Sequence, residues 1–543
     1  MDYRPLLALP LLLALLASPA TAQEPKSDGS VSIELEQREL TSHILNRLAF
    51  GPRPGQVDEV LAQGWMNWVL EQLEPEKLDD SELDKRLAEH SPSMSMSLGE
   101  IMDKYRPAYT NIPPTRAEMM EANRLRAQCQ RELTEFVLLR AVYSKRQFLE
   151  VMCEFWRNHF NIDHNKDQCQ YTANHYEREV IRKHAFGKFG DMLMASAKHP
   201  AMLVYLDNAR SQRPLSDEEK AKLEKYADKI KRKGEDKFSE NRIQDLTRQR
   251  GLNENYAREL LELHTLGVDN GYTQKDVTEC ARALTGWSVT FGRNKDHEFV
   301  FHPLVHDADP KTVLGWKFTG ADGIAEGETI INRLAAHKGT AQFISFKLCR
   351  YLVNDRPPAA LVERVAKVFL ENEGDLKKVY TAIIFSPEFR SRLNYRCKFK
   401  TPFEFTASAL RATGAVVRNP GGTERNLELM GQPIYKKDDP TGYYDQAEAW
   451  LDPGVLVFRW NFALELAAAR QGGVSMPQKF YAPMLKLPRD EMAKALVKQI
   501  VPDGLDPKTQ AILDDLCSST PEPLAMATKL VGALLGSPAF QQQ

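Results

Sequence analysis

Hydrophobic and polar positions follow a helical period along most of the chain. Between residues 41 and 73, two periodic apolar segments flank the turn GPRPGQ, in which glycine and proline interrupt the pattern. From residue 133 to 160 a helical pattern runs without glycine or proline, and Met152, Trp156 and His159 recur at spacings of four and three. These spacings place the three side chains on one face, so we expect His159 to point into the core.

The period of the pattern changes between residues 288 and 318. Phe299 and Phe301 alternate along the chain, and the β-branched pair Thr312 and Val313 follows a proline turn. This pattern predicts two or three short strands. Before and after it the pattern is helical, and it remains so through residues 430–535. The sequence therefore predicts a mainly α, multi-helix globular protein with one small β element.

The first 22 residues have the pattern of a secretory signal peptide. The stretch MDYRPLLALPLLLALLASPATAQ contains one arginine, a short apolar run and a small-x-small ending, so cleavage is expected after Ala22. The run is broken by Pro10 and is shorter than the roughly 20 residues that a membrane-spanning helix needs. We therefore predict an exported protein, periplasmic or extracellular, without a membrane span. A flexible linker is expected over residues 23–40, followed by a mostly helical domain over 41–535.

The charge of the chain argues against two classes of partner. The 72 basic and 74 acidic residues nearly cancel, so neither a nucleic acid nor an anionic membrane is indicated. Residues 217–250 hold nine acids and eleven bases with few large apolar residues, and we interpret them as a solvated charged insertion. The seven cysteines form no CxxC pair, which leaves one or two disulfides and a free thiol as the expectation.

The stretch NENYARELLELHTLG, residues 253–267, concentrates charged and amide side chains among leucines. We take Asn253 as the N-cap of a helix and Gly267 as its end, with about 100° between successive residues. One arc of about 100° then contains a polar stripe of four residues: Asn255, Arg258, Glu259 and Glu262. The opposite side contains the residues that are expected to pack inward: Tyr256, Leu260, Leu263 and His264.

Two interpretations of this polar stripe remain open. Glu259 and Glu262 lie one turn apart, so their carboxylates either bind a metal ion or act as general acid and base. The alternative is a surface ion pair between Arg258 and Glu262, worth about 0.3–0.5 kcal/mol. Glu262 and His264 point about 160° apart and do not chelate one metal ion from this helix alone.

Histidine and charged residues also concentrate in three other stretches. FWRNHFNIDHN contains His159, whose position favours a hydrogen-bonded structural residue over a ligand or base. HYEREVIRKHAFGKFGDML contains Arg182 on a predicted helix whose charges we expect to be mostly solvated. FHPLVHDADPKTVLG places His306, Asp307 and Lys311 on a loop beside the predicted strands, a common location for catalytic groups. The chain has no HExxH, GxSxG, Walker or GxGxxG motif.

Seven longer stretches together carry a family resemblance: HILNRLAFGPRPGQVDEVLAQGWMNWVLEQL, FWRNHFNI, REVIRKHAFGKFGDMLMASAKHPAMLVYLDN, NENYARELLELHTLGVDNGYTQKDVTECARALTGW, HDADPKTVLGWKF, KFKTPFEFTASALRATGA and MGQPIYKKDDPTGYYDQAEAWLDPGVLVFRWNFA. In this order they resemble the bacterial family called domain of unknown function 1800, from about His43 to past Phe462. The resemblance implies an exported bacterial protein without an established activity. It also implies a partner by association, because genes of this family commonly neighbour those of another exported family, domain of unknown function 1501.

Two hypotheses of different classes follow. The first is an exported, hydrolase-like enzyme that acts on an envelope glycan or a secreted polymer. Its predicted catalytic residues converge on one cleft: His159, Glu259, Glu262, His306 and Asp307. Its predicted binding residues lie around them: Asn255, Arg258, Arg182, Asp207 and Lys311. The sequence identifies neither a cofactor nor a metal.

The second hypothesis is a non-catalytic binding or assembly partner of another exported protein. The polar residues are then buried networks that fix helix packing, with mutually satisfied bonds among four of them: Asn255, Arg258, Glu262 and Asp207. Glu259→Gln separates the two hypotheses. It lowers chiefly the melting temperature of an assembly protein, whereas in an enzyme it abolishes turnover at a nearly unchanged melting temperature.

Overall fold

The computed structural model describes residues 35–543, except 107–112, 217, 220, 223–224, 226–250, 291–296 and 503. The predicted signal peptide, most of the predicted linker and most of the predicted charged insertion therefore lie outside the described residues. The part that is described contains 24 α-helices and three two-stranded sheets. The predicted mainly α fold with a small β element is thus confirmed.

Ten of the helices precede the charged insertion: α1 (Gln37–Arg47), α2 (Gln56–Gln63), α3 (Trp65–Gln72), α4 (Ser81–His90), α5 (Leu98–Tyr105), α6 (Arg116–Tyr143), α7 (Gln147–His159), α8 (Cys169–Tyr176), α9 (Phe189–Lys198) and α10 (Pro200–Tyr205). α8 continues directly as a π-helix over Glu177–Arg182. α1 begins within the segment predicted to be a linker. The pattern over 133–160 is divided between α6 and α7, because Asp80 accepts hydrogen bonds from Ser144 Oγ (2.5 Å) and Lys145 N (2.8 Å) at the break.

Fourteen helices follow the insertion: α11 (Asn255–Glu259), α12 (Gln274–Ala283), α13 (Ile324–Ala335), α14 (Lys338–Leu352), α15 (Ala359–Glu371), α16 (Leu376–Ile384), α17 (Pro402–Ala412), α18 (Gly421–Leu429), α19 (Pro453–Ala467), α20 (Gln478–Met484), α21 (Arg489–Ile500), α22 (Pro507–Ser519), α23 (Pro523–Gly536) and α24 (Pro538–Gln541). α11 continues as a π-helix over Leu260–Thr265. α12 starts with a capping box between Thr273 and Asp276, as its sequence predicts.

Six short strands form three antiparallel pairs: β1 (Trp287–Val289), β2 (Phe299–Phe301), β3 (Lys311–Val313), β4 (Trp316–Phe318), β5 (Val416–Val417) and β6 (Val474–Ser475). β1 pairs with β2 so that Trp287 lies opposite Phe301, and β3 pairs with β4. These two hairpins form the β element expected between residues 288 and 318, with four strands instead of the predicted two or three. The pair β5–β6 lies outside the region where strands are predicted.

The larger of two hydrophobic clusters extends through the described chain from Leu35 to Phe540, and the smaller one includes Ile101, Tyr105 and Cys129. The C-terminal helices share the larger cluster, because α19 packs against α23 at Gly532, where an added Cβ would lie 2.8 Å from Leu464 Cδ2. The last residue closes back on the middle of the chain through paired backbone hydrogen bonds between Gln543 and Lys398. The C-terminal helical part is therefore an integral part of the packed structure.

All seven cysteines are free thiols, so the expected one or two disulfides are not formed. Five of the seven are buried at separate positions in the core, where they act as small apolar side chains. Among the residues that the structure describes, no helix is both long and apolar enough to cross a bilayer.

Candidate functional site

The polar stripe of residues 253–267 lies on α11 and the π-helix that continues it. The predicted N-cap was wrong by one residue, because Glu254 occupies the N-cap position and the helix begins at Asn255. Asn253 lies just before it and accepts a hydrogen bond from Asn255 N at 2.9 Å. In the wider π turn, the Thr265 hydroxyl donates an additional hydrogen bond to Leu260 O at 2.6 Å. Gly267 ends the helix with a φ of 92°, a conformation that glycine adopts without strain. Short π segments of this kind are frequent at functional sites.

Three of the four residues that the helical wheel places on the inward side of this helix are buried, and the fourth, Leu263, is only half-buried. Tyr256, Leu260 and His264 are buried. The ring of His264 packs against Phe160, with centroids 5.1 Å apart. Burial, followed by the charge of Lys347, lowers the pKa of His264 to about 3. His264 is therefore a neutral packing residue.

The outward side contains the Arg258–Glu262 ion pair, with 3.2 Å between Nη1 and Oε1. Arg258 also donates to Gln274 Oε1 at 2.7 Å, and its Nη2 lies 3.6 Å from Glu254 Oε2. Gln274 and Thr278 of α12 both donate to Glu254. α12 therefore holds Arg258 and Glu254 in place at the start of the stripe.

Glu259 is the exception on this side of the helix. Its carboxyl is half-buried, and among the described residues it has no hydrogen-bond or ion-pair partner. Burial raises the pKa of Glu259 to about 7, and the negative charges of Glu262 and Asp439 act in the same direction, against a smaller opposite effect of Arg258. A carboxyl with this pKa exchanges a proton near neutral pH.

Asp439 is a site residue that reasoning from the local sequence missed. It lies in the loop 437–443, which is held in place by Asn161, just after α7, and by Tyr205, at the end of α10. Asn161 Nδ2 donates to the carbonyl oxygens of residues 437 and 439, each at 3.0 Å, and Tyr205 donates to the carbonyl of residue 438 at 2.9 Å. Gly442, with a φ of 75°, leaves no room for a Cβ, which would lie 2.4 Å from Asn158 O. The sequence gives one signal that links Asp439 to Glu259: the two stretches that contain them both carry the family resemblance.

His159 is buried, as its position on the core face predicts. Its Nε2 lies 3.3 Å from the carbonyl oxygen of His264, and because a carbonyl only accepts, Nε2 carries the proton. Nδ1 is then the acceptor and faces Lys347 Nζ at 3.3 Å. Burial first, then Lys347, hold the pKa of His159 well below its usual value. His159 is thus neutral, and Lys347 is a second residue that the sequence did not suggest.

His306, Asp307 and Lys311 form a compact buried group beside β3. Asp307 accepts two hydrogen bonds from Arg282, at 2.8 and 3.0 Å. Lys311 Nζ is completely buried, donates to Glu326 Oε2 at 2.7 Å and also contacts the carbonyl of Asp307. His306 bonds to the carbonyl of Thr285 through Nδ1 at 2.9 Å, and its Nε2 lies 3.5 Å from Glu326 Oε2. No hydrogen bond or ion pair between described residues connects this group to Glu259.

Arg182 does not have the solvated environment expected for its helix. It lies in the interior and donates two hydrogen bonds to Glu150, at 2.6 and 2.7 Å. Glu177, one turn earlier, is also buried and accepts from Arg157 at 2.9 and 3.0 Å and from the Tyr435 hydroxyl at 2.8 Å. The expectation was wrong because contacts with α7 turn this charged face toward the core.

The remaining predicted residues lie at two places. Asp207 pairs with Lys166 at 2.8 Å, and Asn255 is half-buried at the start of α11. The assembly hypothesis predicted mutual contacts among Asn255, Arg258, Glu262 and Asp207. Among the described residues only the Arg258–Glu262 pair is formed.

Glu259 is not in the lining of any of three cavities on the surface of the described residues. One of about 250 Å³ is lined by residues that include His175 and His199, and one of about 500 Å³ lies between Gly267 and the aromatic residues Phe343 and Phe346. The third, about 20 Å³ near Glu154, has room for little more than one water molecule. Within the described residues no group of three or more His, Cys, Asp or Glu side chains is placed to hold a metal ion.

Comparison with known proteins gives one match. No curated protein and no solved structure matches the chain. A family model described as "Protein of unknown function (DUF1800)" matches residues 43–542, which include α11, the loop with Asp439, His159 and Lys347. The chain therefore belongs to the DUF1800 family.

Proposed function

We propose that the protein is a hydrolase-like enzyme in which Glu259 exchanges protons with the substrate. The observation that supports this proposal is Glu259 itself, a half-buried carboxyl without a partner among the described residues and with a pKa of about 7. Carboxyls that stabilise the packing of this protein are paired, as Glu150 is with Arg182 and Glu177 with Arg157. An unpaired carboxyl with a pKa near neutrality is typical of a general acid or base.

Glu262 is the proposed second carboxylate of the reaction. It lies one turn after Glu259 and keeps its ion pair with Arg258. In the hydrolysis of a glycosidic bond, one carboxylic acid protonates the leaving oxygen while a second carboxylate takes a proton from the attacking water. We assign the first role to Glu259 and the second to Glu262, with Asp439 as the alternative for the second role.

The proposed substrate is an extended polymer, an envelope glycan or a secreted polymer. Asn255, Arg258, Glu259 and Glu262 are all partly exposed on one side of α11 and its π extension. An open polar surface suits a long chain better than a small molecule, which is usually enclosed by the site that binds it. The substrate also agrees with the export expected from the N-terminal sequence. Asn255 and Arg258 are the proposed binding residues beside the two acids.

The test compares Glu259→Gln with Glu371→Gln, a change on α15 at a side chain that is 60% exposed. Both proteins are incubated at pH 7 with envelope polysaccharides and secreted polymers, and the release of new reducing ends is measured. Glu259→Gln should reduce turnover by about 100-fold or more, because general acid catalysis contributes about 10²–10⁴-fold. Its melting temperature should not fall, since Glu259 makes no hydrogen bond that the change could remove. Full turnover by Glu259→Gln contradicts the assignment, and no release by the unaltered protein contradicts the substrate class.

The second candidate function is that of a binding or assembly protein, and its proposed partner is an exported protein of the domain of unknown function 1501 family. The observation in its favour is the number of predicted site residues whose bonds are made inside the protein: Arg182, His306, Asp307 and Lys311. We propose that these four residues maintain the fold in either case. If assembly is the only function, Glu259→Gln changes no turnover, and the unaltered protein co-elutes with the partner in gel filtration.

A further inference from the structure

The polar contacts of Lys347 differ from those of two buried lysines, Lys311 and Lys398. Lys311 bonds to Glu326, and Lys398 bonds to Asp355. Lys347 has no carboxylate within 4 Å among the described residues, and its hydrogen-bond acceptor is the neutral imidazole of His159. Its Nζ also lies 6.0 Å from the ring centre of Phe343.

The charges around Lys347 do not compensate for its burial. Burial holds the pKa of Lys347 below its ordinary value, Asp445 acts in the opposite direction, and Arg350 lowers it further. The two imidazoles beside it, His159 and His264, are neutral at physiological pH for the reasons given above. A desolvated lysine that has no carboxylate within 4 Å among the described residues is in an environment that favours a neutral, nucleophilic amine.

We propose that Lys347 is a nucleophilic amine that forms an imine with a small aldehyde. The electron pair of Nζ attacks the carbonyl carbon, and the carbonyl π electrons move to oxygen. Nδ1 of His159, which already accepts a hydrogen bond from Nζ, takes the proton that the nitrogen releases. His159 passes this proton to the oxygen, which gives a neutral carbinolamine. The C–O bond then breaks, the leaving oxygen takes the second proton of the nitrogen and departs as water, and the C=N bond forms. No oxidant, metal or cofactor is needed for this step, and it does not depend on the proposed hydrolysis at Glu259.

The surroundings of Lys347 give a small molecule a route of approach. Lys347 is half-buried, and the preceding turn of α14 provides Phe343 and Phe346 to the open cavity of about 500 Å³. Leu266 and Gly267, which follow the π-helix, form part of the same cavity. Phe343 lines this recess, and its ring centre lies 6.0 Å from Lys347 Nζ. The mainly apolar lining suits an aldehyde better than a charged ligand.

The test is reductive methylation of the intact folded protein with formaldehyde and cyanoborohydride, followed by mass spectrometry of peptides. The amine and formaldehyde give an imine and water, and hydride from cyanoborohydride reduces the imine to a stable methylamine. Lys338, exposed at the start of the same helix, is the internal control. The labelling rates of the two lysines are compared at pH 7, 8 and 9 in the same samples, and Lys347→Arg confirms the assignment of the labelled peptide.

The ratio of the two rates separates reactivity from access. The neutral fraction of an ordinary exposed lysine falls about tenfold for each pH unit below its pKa. If Lys347 has a lowered pKa, it keeps a larger neutral fraction at pH 7 than Lys338 does, so the ratio of Lys347 to Lys338 labelling should increase several-fold from pH 9 to pH 7. Restricted access lowers the Lys347 rate by the same factor at each pH and therefore does not change this trend. A ratio that is independent of pH overturns the proposal, as does a folded protein in which Lys347 is not labelled while the denatured chain is labelled at both positions.

Discussion

At the scale of single residues, Glu259 connects stability with pH. Its pKa is raised from 4.5 to about 7 in the folded protein. Below pH 4.5 the carboxyl is protonated in the folded and unfolded states alike. Between pH 4.5 and 7 the unfolded chain releases the proton that the folded protein retains, so the stabilisation of the folded state by this proton is lost as the pH rises.

Glu259→Gln removes this titration. The stability of the variant relative to the unaltered protein should therefore increase as the pH rises. We expect the free energy of unfolding of the variant, relative to the unaltered protein, to increase by about 1–2 kcal/mol between pH 4.5 and 7.5, after allowance for solvent screening of a half-buried group. Urea unfolding at five pH values measures the difference. If the two proteins show the same pH dependence, Glu259 does not titrate as described.

The same residues show how far reasoning from sequence extends. The helical wheel separated His264 from Glu259 correctly, because the side of a helix that is buried depends on local spacing. It could not identify Asp439 or Lys347, which reach this region from parts of the chain about 180 and 90 residues away. The expectation that the charges around Arg182 are solvated was wrong, because burial of a charge requires a partner such as Glu150, and that partner lies on another helix.

At the scale of secondary structure, the β1–β2 hairpin depends on one close contact with α13. Trp287 is completely buried, and a Cβ added at Gly327 of α13 would lie 2.6 Å from its ring and 3.0 Å from Leu284 Cδ2. The alternation of Phe299 and Phe301 predicted strands in this region, but the need for glycine on α13 arises only from the packing of the two elements.

Gly327→Ala should therefore destabilise the protein, although alanine normally stabilises a helix interior by up to about 1 kcal/mol relative to glycine. We expect a loss of about 1–3 kcal/mol from overpacking against a ring that cannot move aside. Gly190→Ala in α9 is the control, since its added Cβ would make ordinary contact with Ala335 at 3.4 Å. Thermal unfolding followed by circular dichroism compares them, and equal melting temperatures contradict the proposed contact.

At the scale of the whole molecule, a buried ionic network joins segments that are far apart in sequence. Glu177 of the first π-helix is completely buried and accepts hydrogen bonds from Arg157 of α7 and from Tyr435, which precedes the Asp439 loop. Arg157 also pairs with Glu154, so the network fixes α7 at the end where His159 and Asn161 are located. The fold and the candidate site therefore share their supporting interactions.

Glu177→Gln should reduce the stability of the whole molecule, because it leaves the buried Arg157 guanidinium with a single carboxylate. The expected loss is about 3–5 kcal/mol in the free energy of unfolding, the usual result of removing one partner of a buried ion pair. Glu179→Gln, two residues later, is the matched control. Glu179 pairs with Arg178 and Lys183 at a partly exposed position, where the cost should be about 1 kcal/mol or less. Urea unfolding measures both, and similar losses in the two variants would show that the interior network does not hold α7 and the Asp439 loop together.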